Sequence, residues 1–257
     1  MPIRAHLAEF RNRIILACAG VLVAATGGWF LFDRTFDLLT RPLYAVAERD
    51  DAIVVPNFSG LATALDMQVK VSFFLGLIIA SPWWIYQLWA FLSPGLHARE
   101  KRYTLGFLLA SVPLFGAGVG LGWLVFPHAV EVLTGFRPTG TSLILDAPQY
   151  LSFAMKLLLA FGIAFLLPVV MVALTWAGLV SARVWLRSWR WAVLLIFVFT
   201  AIMTPTPDGI TMTLMAVPII ALYFGAIGIG ALGERSRRRR RAAAERESSD
   251  RGGKEHS

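Results

Sequence analysis

The chain has 257 residues, of which 57% are hydrophobic and 16% charged, with a mean hydropathy of +0.65 and a formal net charge of +8. About a quarter of the residues of a typical soluble domain are charged, so this composition excludes an ordinary soluble globular protein and predicts an all-α membrane protein. The single cysteine, Cys18, excludes an intrachain disulfide. Its place in the first apolar run favours a packing role over redox or metal chemistry.

Six apolar runs predict six transmembrane helices, since about 20 mainly apolar residues cross a bilayer. The fifth run has only about 13 residues, or roughly 20 Å of helix, so we expect two short final spans. A cleaved signal peptide is the alternative for the first run, but its bulky end, Trp29 to Phe32, favours a retained span. The predicted spans are Ile14–Phe32, Val69–Phe91, Leu105–Pro127, Leu151–Leu179, Trp191–Met203 and Thr211–Leu232.

The distribution of lysine and arginine predicts the orientation. Nine of these residues precede the first span or lie in the second and fourth loops, nine more follow Gly233, and only four lie in the alternate loops. By the positive-inside rule, both the N- and C-termini are cytoplasmic.

The predicted domains are a six-span membrane domain, 1–233, and a basic, disordered cytoplasmic tail, 234–257. Two longer outer segments, about 33–68 and 128–150, are expected to form an external cap, because long structureless loops are uncommon. Ser59 is a candidate N-cap for the helix that enters the second span. Arginines directly behind a span are more typical of contact with anionic membrane lipids than of nucleic-acid binding, so lipids and no nucleic acid are predicted as partners of the tail.

Two carboxylates stand out on the predicted cytoplasmic face. Before Gly233 this face carries nine basic residues but only two acids, Glu9 and Glu100. Local ion pairing with basic neighbours is one interpretation. Capture of a cationic ligand, above all a guanidinium group, is the other.

Enzyme chemistry finds little support in the sequence. None of the four histidines has a partner at metal-ligand spacing, and there is no P-loop, so we expect no catalytic residue, no metal and no cofactor. Lys70 and Lys156 lie at the edge of or within spans, where they either snorkel to the interface or line a substrate path. A small-solute secondary transporter is therefore the alternative function, although no internal repeat supports it.

Proline and aromatic residues mark the second span and the last hairpin. Pro82 is expected to kink the second span. The aromatic-rich segment after it, 83–91, is interpreted either as a belt at the membrane interface or as one wall of a groove for an apolar segment. Asp208 follows two prolines and is a candidate N-cap for the sixth span.

Several short segments form a pattern when they are taken together. They are His6-Leu-Ala-Glu9-Phe-Arg11-Asn-Arg13, Pro42, Tyr86-Gln-Leu-Trp-Ala-Phe91-Leu-Ser-Pro94-Gly95-Leu-His-Ala-Arg-Glu100, Phe126-Pro127, Tyr150-Leu-Ser-Phe153, Phe161-Gly162 with Pro168, and Thr204-Pro-Thr-Pro-Asp208. No single segment is decisive, but their order and spacing across six spans are specific, and together they resemble the TatC family, the multispanning subunit of the twin-arginine (Sec-independent) protein translocase.

The resemblance implies a concave, glove-shaped helical bundle in the cytoplasmic membrane that acts as a receptor rather than an enzyme. It implies binding of the Arg-Arg signal peptides of folded precursors, assembly with single-span TatA/TatB-type partners and further copies of the chain, and export driven by the proton-motive force. The family's signal-peptide site corresponds here to Glu9, Arg11, Phe91 and Glu100. Pro42, Pro94 and Asp208 match family loop positions with structural or functional roles.

The chain departs from the family in the fourth span. A glutamate is common there in a Phe-Glu-x-Pro setting, whereas this chain reads Phe165-Leu166-Leu167-Pro168. Lys156 or Thr175 could replace that polar contact, or the partner could lack the polar group that makes it.

Overall fold

The computed structural model describes residues 3–49, 54–58, 60, 62–92, 101–135, 143–176, 178–203 and 209–254. In these ranges the chain forms nine helices and two short strands. In chain order the elements are α1 (Ile3–Trp29), α2 (Phe32–Arg49), β1 (Val54–Asn57), α3 (Thr63–Ile79), α4 (Ser81–Leu92), α5 (Lys101–Gly135), β2 (Leu143–Asp146), α6 (Ala147–Trp176), α7 (Ala182–Arg187), α8 (Trp189–Met203) and α9 (Gly209–Lys254).

The six predicted spans coincide with helices or with bent pairs of helices. Three segments are long and apolar enough to cross a membrane alone, namely Gly106–Val132, Ala147–Trp176 and Met212–Arg235. The pairs α1–α2 and α3–α4 meet the same criterion when each is taken together, and α8 is a shorter apolar helix. The fold is thus an apolar, multi-helix membrane architecture, as expected. The number of crossings and the side of each terminus stay predictions.

Both bent pairs break where the sequence removes or weakens helical hydrogen bonds. The axes of α3 and α4 differ by 61°, and Pro82 lies in the first turn of α4, where its missing N–H is tolerated. The Trp84 indole N–H donates to the Leu77 carbonyl at 2.9 Å across the break. The kink predicted from Pro82 is therefore confirmed. The other pair turns by 80° just after Gly27 and Gly28, so the first helix ends earlier than the predicted span.

Helix α6 lies at the centre of the bundle and contributes buried side chains to all three apolar clusters. Its tightest neighbour is α5. A Cβ atom added at Gly118 of α5 would lie 2.5 Å from the Phe161 carbonyl oxygen and 2.9 Å from the Gly162 Cα of α6. Because lipid supplies no hydrophobic force between helices, small residues that allow such close packing stabilise the pair.

The two segments predicted as a cap are joined by a parallel pair of strands, which the sequence did not indicate. Val54 of β1 pairs with Leu143 of β2, and the register continues to Asn57 and Asp146. The all-α class therefore holds apart from this small sheet. Pro42, expected at a loop position, is buried within α2. Helix α3 begins at Thr63, later than the start expected from Ser59, which lies outside the described residues.

Helix α9 continues through the segment predicted to be a disordered tail and ends at Lys254. The difference has a local cause, since residues 235–246 consist mainly of arginine, alanine and glutamate, which are strong helix formers. High charge reduces packing against a core, but it does not remove this intrinsic preference.

Candidate functional site

The first candidate surface lies where the N-terminal end of α1 meets α4. His6, Glu9, Phe10 and Arg13 fall within about 100° on one side of α1, because a helix advances about 100° per residue. They face Gln87 and Phe91, which are four residues apart on α4 and so share a face. We call these six residues the α1–α4 surface.

Phe91 forms the apolar part of the α1–α4 surface. Its ring stacks on His6 with a centroid distance of 4.6 Å and contacts Phe10 at 5.0 Å. Such aromatic pairs contribute about 0.5–1.5 kcal/mol each beyond the burial of area. Phe91 therefore fixes the end of α4 against the first turns of α1.

Arg13 forms the polar part and connects the two helices. Its Nε and Nη2 atoms both donate to Glu9 Oε1, at 3.2 and 3.1 Å. Its Nη1 atom donates to Gln87 Oε1 at 3.2 Å. The Arg13 and Glu9 side chains are 28% and 27% exposed, whereas Gln87 is buried. Glu9 is thus an oriented carboxylate that solvent, or a ligand, can still reach.

The structure brings together some of the predicted site residues and not others. Glu9 and Phe91 belong to the same surface. Arg11 is exposed and, two residues after Glu9, projects from the opposite side of α1. Glu100, Pro94 and Asp208 lie outside the described residues, although α9 does begin directly after Asp208.

The sequence interpretation did not select Arg13 and Gln87, which the structure places in the α1–α4 surface. The spacing from Glu9 to Arg13 is the i,i+4 spacing of a helical ion pair, and this signal is visible in the sequence. Gln87 gives no such signal, because its role depends on how α4 packs against α1.

The second candidate site is an apolar groove of about 810 Å³ between α4, α6, α8 and α9. Trp84 and Leu88 of α4 line it, which supports the interpretation of the aromatic segment as a groove wall. None of the described side chains that line the groove is charged. Its other lining residues are Leu77, Phe115, Leu159, Ile163, Ala164, Leu166, Leu167, Val170, Met171, Trp185, Ala192, Leu195, Ile196, Phe199, Ile219 and Tyr223.

The departure from the family pattern at Leu166 contributes to this apolar character, since Leu166 lines the groove. Thr175, one of the two residues considered as a polar replacement, is buried and already bonded. It donates to the Met171 carbonyl at 2.8 Å and accepts from the Trp185 indole at 3.2 Å. Lys156, the other, is exposed on α6.

Lys70 forms a solvent-exposed ion pair rather than lining an enclosed substrate path. Its Nζ atom is 2.6 Å from Asp66 Oδ2, and the two side chains are 50% and 54% exposed. Among the described residues, no group of three or more histidine, cysteine or acidic side chains could hold a metal ion.

Comparison with known proteins gives one consistent match. The family model described as Sec-independent protein translocase protein (TatC) matches residues 5–218. A Sec-independent protein translocase protein TatC of Xylanimonas cellulosilytica is 52% identical over 246 residues, which cover 95% of this chain and 89% of the relative. The TatC of Rothia mucilaginosa is 36% identical, with coverage of 92% and 81%.

Solved structures agree with the sequence relatives. A crystal structure of the twin arginine translocase receptor TatC is 31% identical and superposes with a TM-score of 0.79, covering 89% of this chain and 99% of that one. A second crystal structure of a TatC receptor, in the detergent DDM, is 32% identical, with a TM-score of 0.78 and coverage of 88% and 99%.

Proposed function

Since this chain belongs to the TatC family of Sec-independent protein translocase proteins, we propose that its α1–α4 surface binds the Arg-Arg signal peptides of folded precursors. Family membership makes the chain a multi-pass core subunit of the twin-arginine translocase in the cytoplasmic membrane, and not an enzyme. The comparisons do not support a small-solute transporter.

The partly exposed Glu9 carboxylate, oriented by Arg13 where α1 meets α4, carries this proposal. Guanidinium and carboxylate groups pair through two parallel hydrogen bonds, which gives arginine an advantage over lysine. Phe91 and Phe10, which contact each other on the same surface as Glu9, offer an apolar contact to residues that flank the arginines. Glu100 is proposed as the second acceptor, and Arg11 as a further contact at the edge of the site.

The groove is proposed to receive an apolar segment that follows the arginines. Secretory signals carry about 7–15 apolar residues behind their charged start, and the uncharged lining of the groove suits such a segment. Helix α4 connects the two sites, since Gln87 and Phe91 serve the α1–α4 surface while Trp84 and Leu88 line the groove.

The remaining partners are also proposals. Single-span TatA/TatB-type subunits and further copies of the chain would pack against its exposed apolar helix faces, and lipids would contact the rest. The chain has no nucleotide-binding P-loop, so we propose that the proton-motive force drives export.

Site-specific photo-crosslinking tests the proposed receptor site. A crosslinker at Glu9, Phe91 or Glu100 should capture a precursor with an Arg-Arg signal and lose it when the signal carries Lys-Lys. A crosslinker at Phe30, which is 86% exposed and distant in sequence from the α1–α4 surface, is the control. Unchanged export by a Glu9→Ala/Glu100→Ala double variant would contradict the assignment.

A bulky side chain in the groove tests its proposed occupant separately. Ile163 lines the groove and is 54% exposed, so Ile163→Trp should fit without disturbing the core and should reduce precursor export. Leu124→Trp is the matched control, because Leu124 is 67% exposed on α5 and does not line the groove. Equal export by both variants would exclude the groove as a binding site.

A further inference from the structure

We propose that Arg13 is an intramolecular competitor of the signal peptide, occupying the Glu9 carboxylate until a precursor arginine replaces it. This inference rests on the proposed function, because it assumes that Glu9 is an acceptor for signal arginines. It adds Arg13 to the four residues predicted for the site. It also sets a minimum affinity that a ligand needs in order to displace Arg13 and bind.

The chemistry of the Arg13 contact is that of the proposed ligand. A guanidinium group from α1 already pairs with the carboxylate that a guanidinium group of the precursor would use. Arg13 already places two donors on Glu9 Oε1, which uses both lone pairs of that oxygen. A precursor guanidinium group that pairs with both carboxylate oxygens therefore displaces at least one of the Arg13 donors from Oε1.

The geometry of the Arg13–Glu9 ion pair favours replacement of Arg13 by an arginine of the precursor. Arg13 directs both donors at one oxygen, Oε1, at 3.1–3.2 Å, whereas strong charge-assisted pairs are about 2.7–2.9 Å long and use both oxygens. In the part of the chain that the structure describes, Glu9 Oε2 accepts no hydrogen bond. An incoming arginine that pairs with both oxygens thus replaces a weaker contact with a stronger one.

Arg13 also keeps a partner after displacement. Its Nη1 atom donates to Gln87 Oε1 at 3.2 Å, and its side chain is 28% exposed, so water can hydrate the two released donors. Because Gln87 is buried on α4, this second bond holds Arg13 near the site rather than letting it swing away. Displacement therefore costs less than burying an unpaired charge.

Competition lowers the apparent affinity of every cationic ligand for Glu9 by the same factor, since only the fraction of receptors with a free carboxylate can bind. Weak cationic segments then fail to occupy the receptor, whereas a true signal, with its additional contacts, still binds. Partly exposed ion pairs contribute up to about 1 kcal/mol, which corresponds to a factor of up to about five in Kd.

The test uses the full chain with its partner subunits in membrane vesicles and two labelled synthetic signal peptides, one Arg-Arg and one Lys-Lys. Arg13→Gln should lower the Kd of both peptides about two- to fivefold. Arg183→Gln, which removes an exposed positive charge from another part of the molecule, should leave both values unchanged and so controls for net charge. An unchanged or raised Kd for Arg13→Gln would overturn the proposal and indicate that Arg13 positions Glu9.

Arg13→Lys protects the test against misfolding. It retains the charge but loses the fork of donors, so it should lower both Kd values by a smaller factor than Arg13→Gln. If Arg13→Gln fails to accumulate, an unchanged or raised Kd in Arg13→Lys overturns the proposal by itself.

Glu9→Gln separates this proposal from the proposed function. If Glu9→Gln leaves the Kd of the Arg-Arg peptide unchanged, Glu9 is not the acceptor and the proposed function fails at this residue. If Glu9→Gln weakens binding but Arg13→Gln does not strengthen it, only the competitor role of Arg13 fails. If Glu9→Gln weakens binding and Arg13→Gln strengthens it, both proposals hold. Adding Arg13→Gln to Glu9→Gln should then produce no further gain in affinity for the Arg-Arg peptide.

Discussion

Helices α6 and α1 are the two extremes of this molecule. Eighteen of the 30 residues of α6 are buried, including aromatic and aliphatic side chains from its first turn to its last. Among the side chains described in α1, only Ala25 and Gly28 are buried. Yet α1 carries the ion pair of Glu9 and Arg13, whereas only four residues of α6 are exposed, and two of them, Ile163 and Leu167, line the groove.

The difference separates the tightly packed helices around α6, here called the frame, from the α1–α4 surface that we propose binds the signal peptide. A buried membrane helix has few alternatives, because close packing on several sides leaves little room for change. A peripheral helix can present charges without desolvating them and can adjust its contacts. We therefore expect substitutions around α6 to act on folding and substitutions around α1 to act on binding.

The largest expected effect comes from breaking the contact between α5 and α6. Gly118→Leu should destabilise the protein by about 3 kcal/mol or more, at the upper end of overpacking penalties, because even its Cβ would overlap the backbone of α6. The measure is the yield of monodisperse protein after detergent extraction and its melting temperature. Gly120→Leu is the control, since a Cβ at Gly120 meets no atom within 4 Å. Equal yields would mean that the two helices do not pack as described.

Phe91→Ala is expected to act on α1 instead of on the frame. Loss of its contacts with His6 and Phe10 removes about 1–3 kcal/mol of aromatic interaction and frees the first turns of α1. Binding of an Arg-Arg precursor should weaken about fivefold or more, while the melting temperature changes little. Phe30→Ala, at an 86% exposed position, should alter neither quantity. A large fall in melting temperature would show that α1 also belongs to the frame.

Tyr150→Phe probes the start of α6 with a smaller change. The Tyr150 hydroxyl donates to the Leu39 carbonyl of α2 at 2.9 Å in a buried contact, and such a bond contributes about 0.5–1.5 kcal/mol. The melting temperature should fall modestly, with precursor binding unchanged. Tyr86→Phe, at a 47% exposed position, should leave both unaltered. A Tyr150→Phe protein as stable as the parent would show that this bond does not anchor α2.

The smallest effect is expected from Lys70→Ala on α3. The exposed pair with Asp66 is an i,i+4 contact of about 0.3–0.5 kcal/mol, so stability and export should both stay within error of the parent. The measurement compares precursor export and the melting temperature of Lys70→Ala with those of the parent protein. A clear loss of export without loss of stability would assign Lys70 a functional role.

Much of the frame could be predicted from sequence, because its signals are local. Long apolar runs located the helices, and Pro82 located the bend between α3 and α4. Glu9 and Phe91 were recognised from an asymmetry in charge and from the family pattern, and they do lie together. The helices and the bend depend on physics that acts within a few turns of one segment, whereas Glu9 and Phe91 were found from the whole charge distribution and the family resemblance.

The features that sequence did not predict depend on contacts between distant segments. The Arg13–Gln87 hydrogen bond spans 74 residues, and its existence depends on the angle at which α4 leaves α3. The pairing of β1 with β2 likewise requires two segments that only the folded bundle brings together. The helical continuation of α9 was missed for another reason, since high charge argued against packing and concealed a strong helical preference.

The small sheet also constrains the order of assembly during synthesis. Val54 cannot pair until Leu143 has been synthesised, 89 residues later in the chain. At ordinary elongation rates, synthesis of these residues takes roughly 4–18 s. Until then β1 is an unpaired edge with open backbone hydrogen-bonding groups. The sheet can therefore close only after α5, which lies between the two strands in the chain, has been synthesised.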